Sequence, residues 1–396
     1  MALDVGRRGL EPERPPAEPA DENGNDVEAD DEELRLSGLL SDRRRLLALA
    51  VVFVLAIVSI YLILPQIVGL EDNLERISEA VWYWVVIAVG FNVLAFAAYV
   101  ALFRGILGGR TDDQLHRRLD IRASYQITMA GLAATRLFSA AGAGGLVLTY
   151  WALRKAGMPR RRSACRMVAF LALTYSVYLG ALVLFGVLLF SGVLPGAAPA
   201  GGTVVPAAVA GTVIVVLGLV ALIPGNFERR IHNVTGDGRA ARLAERFATG
   251  PATVATGVRT AIDYLSHPSR GALAVAGAVG FWAAQIGILW ASFEAFGGDV
   301  AFGVLVQGFF VGMAANLIPS PAGGVGSVDA GMIGAFLLFG ESGALVFPAV
   351  LTYRVIAFWL PIPPGVIAYF QLVRTVHGWE RERGYTSESK VTAEAT

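Results

Sequence analysis

The chain has 396 residues, 55% of them hydrophobic, and its mean hydropathy of +0.57 excludes an ordinary water-soluble domain. Its 32 basic and 32 acidic residues cancel, so nothing in the charge balance points to nucleic acid as a partner. A single cysteine, Cys165, excludes an intrachain disulfide and a cysteine-built metal site, and the four histidines, His116, His232, His267 and His377, are scattered through polar connectors without metal-ligand spacing. No metal or cofactor is therefore expected.

Residues 1–42 are rich in Pro, Glu and Asp and cannot bury enough apolar surface to fold alone, which predicts a disordered acidic cytoplasmic tail. Arg43, Arg44 and Arg45 then abut the apolar run 46–64, and the positive-inside rule holds that end in the cytoplasm. No cleavage motif follows the run, so it reads as a retained first span. A second span, 81–103, opens on Trp82, Tyr83 and Trp84 at interface depth and returns the chain to Arg104, Arg110, Arg117, Arg118 and Arg122.

Segment 123–153 ends at another basic block, Arg154 to Arg166. A single crossing would place that block outside. One straight helix of this length would measure about 45 Å, too long for a hydrocarbon core of about 30 Å. Two half-helices meeting near residues 140–145 satisfy both constraints, which predicts a re-entrant hairpin entering from the cytoplasm. Spans at 167–194 and 204–224 follow, then a basic connector at 225–270. In it Leu243, Phe247, Val254, Val258, Ile262 and Leu265 alternate with Arg242, Arg246 and Arg259, and Gly250-Pro251 divides the stretch into two short helices. That pair either lies on anionic headgroups or packs on the bundle as a cytosolic loop helix. A fifth span covers 271–296. Segment 300–339 holds a second half-length pair of helices, and the last span, 344–373, must end inside because Arg374, Arg381, Arg383 and Lys390 follow. Residues 375–396 are expected to form a disordered cytoplasmic tail.

The two hairpins share a pattern. GMAANLIPSPAGGVG at 312–326 cannot be a continuous helix, because Pro319 and Pro321 remove backbone donors and Gly323, Gly324 and Gly326 open other conformations. At a constant gap-free offset, GLAATRLFSAAGAGG at 131–145 matches it at Gly131, Ala133, Ala134, Ser139, Ala141, Gly142 and Gly145. The abundance of Gly and Ala supplies a chance explanation; an inverted repeat supplies the other, since charge sorting makes the two copies enter from opposite faces. Paired breaks of this kind are a pointer to a transporter-type binding site.

SPAGGVGSVDAGMIGAF, followed after a short gap by LTYRVIAFWLPIPPG, resembles the proline-glycine motif, acidic residue and Tyr-Arg pair of the lysylphosphatidylglycerol synthase transmembrane-region family, the flippase-like integral membrane proteins. The first hairpin with its sequel YWALRKAGM resembles the upstream block, and the likeness spans roughly residues 46–373. It implies a domain that moves or handles polar lipids, including aminoacylated phosphatidylglycerol and polyprenyl-linked sugars. Some family members carry a cytosolic aminoacyltransferase domain, for which the residues after the last span leave no room, so lipid aminoacylation is not implied. Three departures stand out: Gly144, Gly145 and Leu148 where the family has a Gly-Glu pair followed by Arg, an apolar MVAFLAL in place of an acid-rich stretch, and Asp329 in place of Glu.

Charges inside a membrane are costly, so each is a candidate. Arg354, beside Tyr353 in the last span, is expected to hold a lipid phosphate through charge-assisted hydrogen bonds, or to pair structurally with Asp329, or to snorkel. Arg136 in the first hairpin either faces the same cavity or snorkels. Asp329 either caps a half-helix begun at Ser327 or pairs with Arg354. Asn316, Ser320, Gly323, Gly324 and Gly326 complete the candidate substrate-binding set. Glu294 and Gln307 flank it, and Trp282, Trp290 and Trp359 read as packing or interface anchors. No P-loop, HExxH or GxSxG motif is present in the sequence, so catalysis is not expected.

The expectation is an all-α polytopic membrane protein with six full spans and two re-entrant hairpins, both termini cytoplasmic, that binds and translocates an anionic or polyprenyl-linked lipid across the cytoplasmic membrane. The alternative is a non-transporting scaffold or accessory subunit for envelope lipid or glycan synthesis, and a third class is a lipid-modifying enzyme. Expected partners are membrane lipids, an envelope-biosynthesis protein and a second copy of the chain.

Overall fold

A computed structural model describes residues 80–107, 118–137, 143–222, 239–317 and 324–394. All of them belong to one of the chain's two compact units, Gly69–Thr396. The predicted tail at 1–42, the first span at 46–64 and the apices of both hairpins, 138–142 and 318–323, lie outside the described residues. The described residues form helices α1 Trp82–Leu107, α2 Ile121–Leu137, α3 Ala143–Lys155, α4 Arg160–Phe190, α5 Val204–Ala221, α6 Arg239–Ser266, α7 Pro268–Glu294, α8 Phe302–Met313, α9 Ser327–Leu338, α10 Gly343–Arg354 and α11 Ile362–Glu394. Five helical stretches are long and apolar enough to cross a membrane: Trp82–Leu107, Arg160–Phe190, Val204–Ala221, Gly271–Glu294 and Gly343–Arg381. They fall on the second to sixth predicted spans. The chain is an all-α polytopic membrane protein, with no strand among the described residues.

Helices α1 and α7 run antiparallel as the central pair. The Val81 N–H donates to the Ala295 carbonyl at 2.9 Å at one end, and Gly105 meets Ala274 at the other. Between these points Gly287 lies under Phe91 and Gly277 against the backbone of Leu102, leaving no room for a methyl group at either glycine. Lipid tails are as apolar as leucine, so helices in a bilayer gain little from burying apolar area and associate where small residues let backbones touch.

The same device builds both hairpins. In the first, α2 and α3, a side chain on Gly145 would collide with Thr135 Oγ1 and the Gly131 carbonyl. In the second, α8 and α9, a Cβ on Gly312 would sit 2.5 Å from Met332 Cα, and one on Gly331 would sit 2.8 Å from the Gly312 carbonyl oxygen. Gly131 and Gly312, which head the two matching sequences, thus do the same work: each seats one arm on the other. The arrangement is also exchanged. The first hairpin packs through α2 on α11, the second half of the membrane stretch that follows the second hairpin, and the second packs through α8 on α4, the helix that follows the first. Gly312→Ala is expected to destabilise the protein by about 1–3 kcal/mol through overpacking. Gly90→Ala, whose added methyl meets nothing, serves as the control in thermal unfolding of the detergent-solubilised proteins.

Several basic residues sorted by the charge rule to one side cap helix ends. The Arg166 guanidinium donates to the Ile106 carbonyl near the end of α1 and to Tyr264 Oη at 2.8 Å. Arg259 Nε donates to the Ala221 carbonyl at the end of α5 at 2.6 Å, and Arg154 Nη1 donates to the Met158 carbonyl at 2.9 Å. A helix C-terminus carries unsatisfied carbonyls and partial negative charge, and a cation answers both.

Two expectations are corrected. The connector holds one helix, α6, not two pieces split at Gly250-Pro251. Its Ala255, Val258 and Ala261 are buried, and Gly257 abuts Val168 and Ala169 of α4, so packing on the bundle outweighs the one hydrogen bond that Pro251 cannot donate. This favours the loop-helix alternative, although Val254, Ile262 and Leu265 stay exposed. At the other end, helix α11 continues to Glu394, so residues 375–394 are helical where a disordered tail was expected. Val376 and Trp379 are buried in the cluster that includes Leu148, Leu153 and Met158, and Lys155 Nζ lies 2.9 Å from Glu380 Oε1. Charges mark where the bilayer ends, not where the helix does.

Candidate functional site

The last membrane stretch is not a uniform helix. After α10 ends at Arg354, residues Val355–Trp359 form a π-helical turn, in which the Leu360 N–H donates five residues back to the Val355 carbonyl at 2.9 Å. Pro361, Pro363 and Pro364 follow and have no N–H to offer. The Ile356 carbonyl therefore loses both donors of its own helix, because Leu360 is spent and Pro361 is a proline. The carbonyls of Ala357 and Phe358 each lose one, to Pro361 and Pro363.

Other helices supply what is missing. Asn92 Nδ2 of α1 donates to the Ile356 carbonyl at 3.0 Å. Arg136, at the end of α2, donates from Nη2 to the Ala357 carbonyl and from Nη1 to the Phe358 carbonyl, both at 2.9 Å. Unsatisfied carbonyls at membrane depth cost several kcal/mol each, which is why these three are met from outside. Snorkelling does not describe Arg136 in this structure: its guanidinium is turned onto the wide turn.

Arg354 is 5% exposed and binds toward the second hairpin. Its Nε lies 2.5 Å from Asp329 Oδ1, a coulombic contact without the direction of a hydrogen bond, and its Nη2 donates to the Gly324 carbonyl at 3.1 Å. The second carboxylate oxygen of Asp329 accepts the Gly326 N–H at 2.8 Å at the start of α9. Both readings of Asp329 thus hold at once, one oxygen capping the helix and the other facing Arg354. Gly324 and Gly326 have φ of +96° and +82°, a region that L side chains rarely adopt, and this backbone turns the Gly324 carbonyl toward the guanidinium.

Phe358 joins the two arginines. The Arg354 Cζ sits 4.5 Å and the Arg136 Cζ 5.2 Å from its ring centroid, a distance at which the ring quadrupole stabilises a cation. Arg354 is answered by Asp329; among the described residues, Arg136 faces carbonyl oxygens and the ring. Among the described residues, two guanidiniums and one carboxylate leave this cluster with an excess of one positive charge.

The other candidates are distributed around it. Tyr353 is 3% exposed, its hydroxyl donates to Gln285 Oε1 at 3.1 Å and its ring meets Phe309 edge-on, so it braces Arg354 from behind. Tyr353→Phe is expected to cost about 1 kcal/mol, the net worth of one hydrogen bond, measurable as a lower unfolding midpoint in detergent. Asn316 is exposed at the end of the tight turn Ala314–Leu317, and a Cβ on Gly324 would lie 2.8 Å from its Oδ1. Ser320 and Gly323 lie outside the described residues. Gln307 is fully buried away from the cluster, donating to the Gly202 carbonyl at 3.0 Å. Trp282 donates to the Thr174 carbonyl at 2.8 Å and Trp290 stacks edge-on against Trp84, both as packing groups. Sequence reasoning missed Asn92 and Phe358. An amide in the middle of an otherwise apolar span was a signal for the first; a phenylalanine among 21 carries none for the second.

Comparison with known proteins agrees with this architecture. Residues 45–365 match the family model described as the lysylphosphatidylglycerol synthase TM region. Two curated relatives from Methanothermobacter thermautotrophicus, each described as a UPF0104 membrane protein, are 30% identical over 86 residues and 32% identical over 87 residues. Each match covers 22% of this chain and 26% of the relative, so the chain spans about a quarter of the length of the curated relatives it matches. No solved structure matches. With the family model covering most of its length and the hairpins, Tyr-Arg pair and proline cluster in place, the chain belongs to the lysylphosphatidylglycerol synthase transmembrane-region family.

Proposed function

We propose that the protein binds the phosphate-bearing headgroup of an anionic or polyprenyl-linked lipid at Arg136 and Arg354 and carries it across the cytoplasmic membrane. One observation supports this above the rest: a cluster at membrane depth holds two guanidiniums, one buried and one half-buried, and a single carboxylate among the described residues, and a cation left without a carboxylate there calls for an anion. Of the five N–H donors of Arg136, two are spent on carbonyls, which leaves the others for phosphate oxygens. The headgroup is held while the acyl chains stay in lipid. The exchanged packing of the two hairpins provides the moving parts, since rocking of one repeat against the other would alternate the side from which the cluster is reached.

The reading includes both termini in the cytoplasm, no catalytic step, lipids as the principal partners and no cofactor. The test is a headgroup-translocation assay with purified protein in liposomes carrying fluorescent phosphatidylglycerol or polyprenyl phosphate. Movement of either lipid above protein-free liposomes supports transport and names its class. Retention of both lipids by folded protein removes the transport reading in favour of the scaffold for envelope synthesis, to be pursued by cross-linking to partner proteins.

A further inference from the structure

The wide turn at Val355–Trp359 touches both hairpins. Arg136 reaches it from the first, while Arg354, the residue before it, is tied to Asp329 of the second. Its carbonyls have few donors within their own helix because of Pro361 and Pro363, so its shape depends on donors lent by α1 and α2. Asn92 lends the most economical of these. It is 3% exposed, its Nδ2 serves Ile356, and its Oδ1 is buried without a partner. A buried amide with half its capacity idle is a poor stabiliser of its own helix; what it supplies is the donor that the Ile356 carbonyl lacks.

We infer that Asn92 and Arg136 form a latch on the wide turn, and that an anionic headgroup opens this latch by drawing the Arg136 guanidinium off the Ala357 and Phe358 carbonyls. The inference rests on the proposed headgroup site and adds its coupling. The guanidinium that answers the anion is the one that holds the turn, so an anion that takes its three remaining N–H groups pulls against the two that rest on the carbonyls. Asn92 alone then retains one carbonyl of three, and the stretch between Arg354 and the proline cluster is free to change register. A turn wider than an α-helix is a two-state element of this kind, and a ligand shifts it by preferring one state. Asn92 is a positioning residue in this scheme, acting through the turn and not on the lipid.

The experiment is hydrogen–deuterium exchange on the full chain in detergent, read on peptides that cover residues 350–362, with dioctanoyl phosphatidylglycerol, with dioctanoyl phosphatidylcholine and without lipid. Native mass spectrometry records lipid binding separately. In the wild type the anionic lipid is expected to raise exchange across the turn roughly fivefold, the factor that loss of a hydrogen bond's net contribution allows, and the zwitterionic lipid is expected to leave it unchanged. In Asn92→Ala exchange should already be raised without lipid, with only a small further increment on adding it; Asn92→Ser serves if the alanine variant does not purify. A purely structural Asn92 would not alter the lipid-dependent increment. If phosphatidylglycerol binds and exchange in the turn does not rise, the coupling is overturned. If Asn92→Ala exchanges as the wild type does, the latch is overturned. If no anionic lipid binds, the headgroup reading fails and the coupling fails with it, and a lipid-free rise in the variant then shows only that Asn92 holds the turn.

Discussion

Arg354→Ala is expected to destabilise the protein by about 3–5 kcal/mol, as breaking a buried ion pair by removing one partner does, and to abolish lipid translocation. The Asp329 side chain, 16% exposed, would face no cation, and the Gly324 carbonyl would lose its donor. Because both effects inactivate, the single variant does not separate folding from binding. The double variant Arg354→Met with Asp329→Asn does. It removes both charges, keeps comparable volume, and should recover most of the lost stability, since an apolar replacement of a buried pair is often neutral. It should still fail to move lipid. Recovery of transport in the double variant would show that Arg354 is a structural partner of Asp329 and nothing more. Unfolding by chemical denaturant in detergent and the liposome assay read the two quantities on the same preparations.

Arg136→Ala should behave differently, and the contrast is the sharper test. Its loss takes a donor from the Ala357 and Phe358 carbonyls, and since the Ile362 N–H can serve only one of them, at least one is left orphaned at about 1–3 kcal/mol. Against this, removing a half-buried cation that no carboxylate among the described residues answers returns about 1–3 kcal/mol of desolvation. The two terms are of similar size and opposite sign, so the unfolding midpoint should move little. Translocation of an anionic lipid should fall by about a hundredfold, the loss of a charge-assisted hydrogen bond worth up to about 3 kcal/mol. Arg136→Lys keeps the charge but not the fork that spans two neighbouring carbonyls, and should retain part of the activity. A variant at Arg136 that unfolds as readily as Arg354→Ala would argue that its role is to hold the turn alone. One that transports normally would remove it from the headgroup site.

Much of this site was legible before any tertiary contact was known. The pairing of Arg354 with Asp329 was one of the alternatives the residues offered, because a guanidinium and a carboxylate in two membrane-embedded segments have few better partners than each other. The glycines at 324 and 326 were readable as a break, because prolines and glycines in an apolar run leave the helix no way through. Other features were not. WLPIPPG announces a disturbance in the last span, yet whether the helix kinks, ends or widens depends on whether donors come from elsewhere. The continuation of α11 to Glu394 was hidden by the charges after residue 374, which obey the bilayer and say nothing about Val376 and Trp379 packing on the first hairpin.

Sequence by itself determined what local physics controls: which runs are long and apolar enough to span, where two of them must break, and which charges a membrane forces to find partners. The tertiary structure alone decided who answers whom across the chain. Asn92 meets Ile356 at a separation of 264 residues, and Arg136 meets Phe358 at 222. No period or propensity encodes such a meeting. It arises because glycines let α1 close on α7 and α2 on α3, and because carbonyls left without donors in lipid must take them from whichever helix that packing brings within reach.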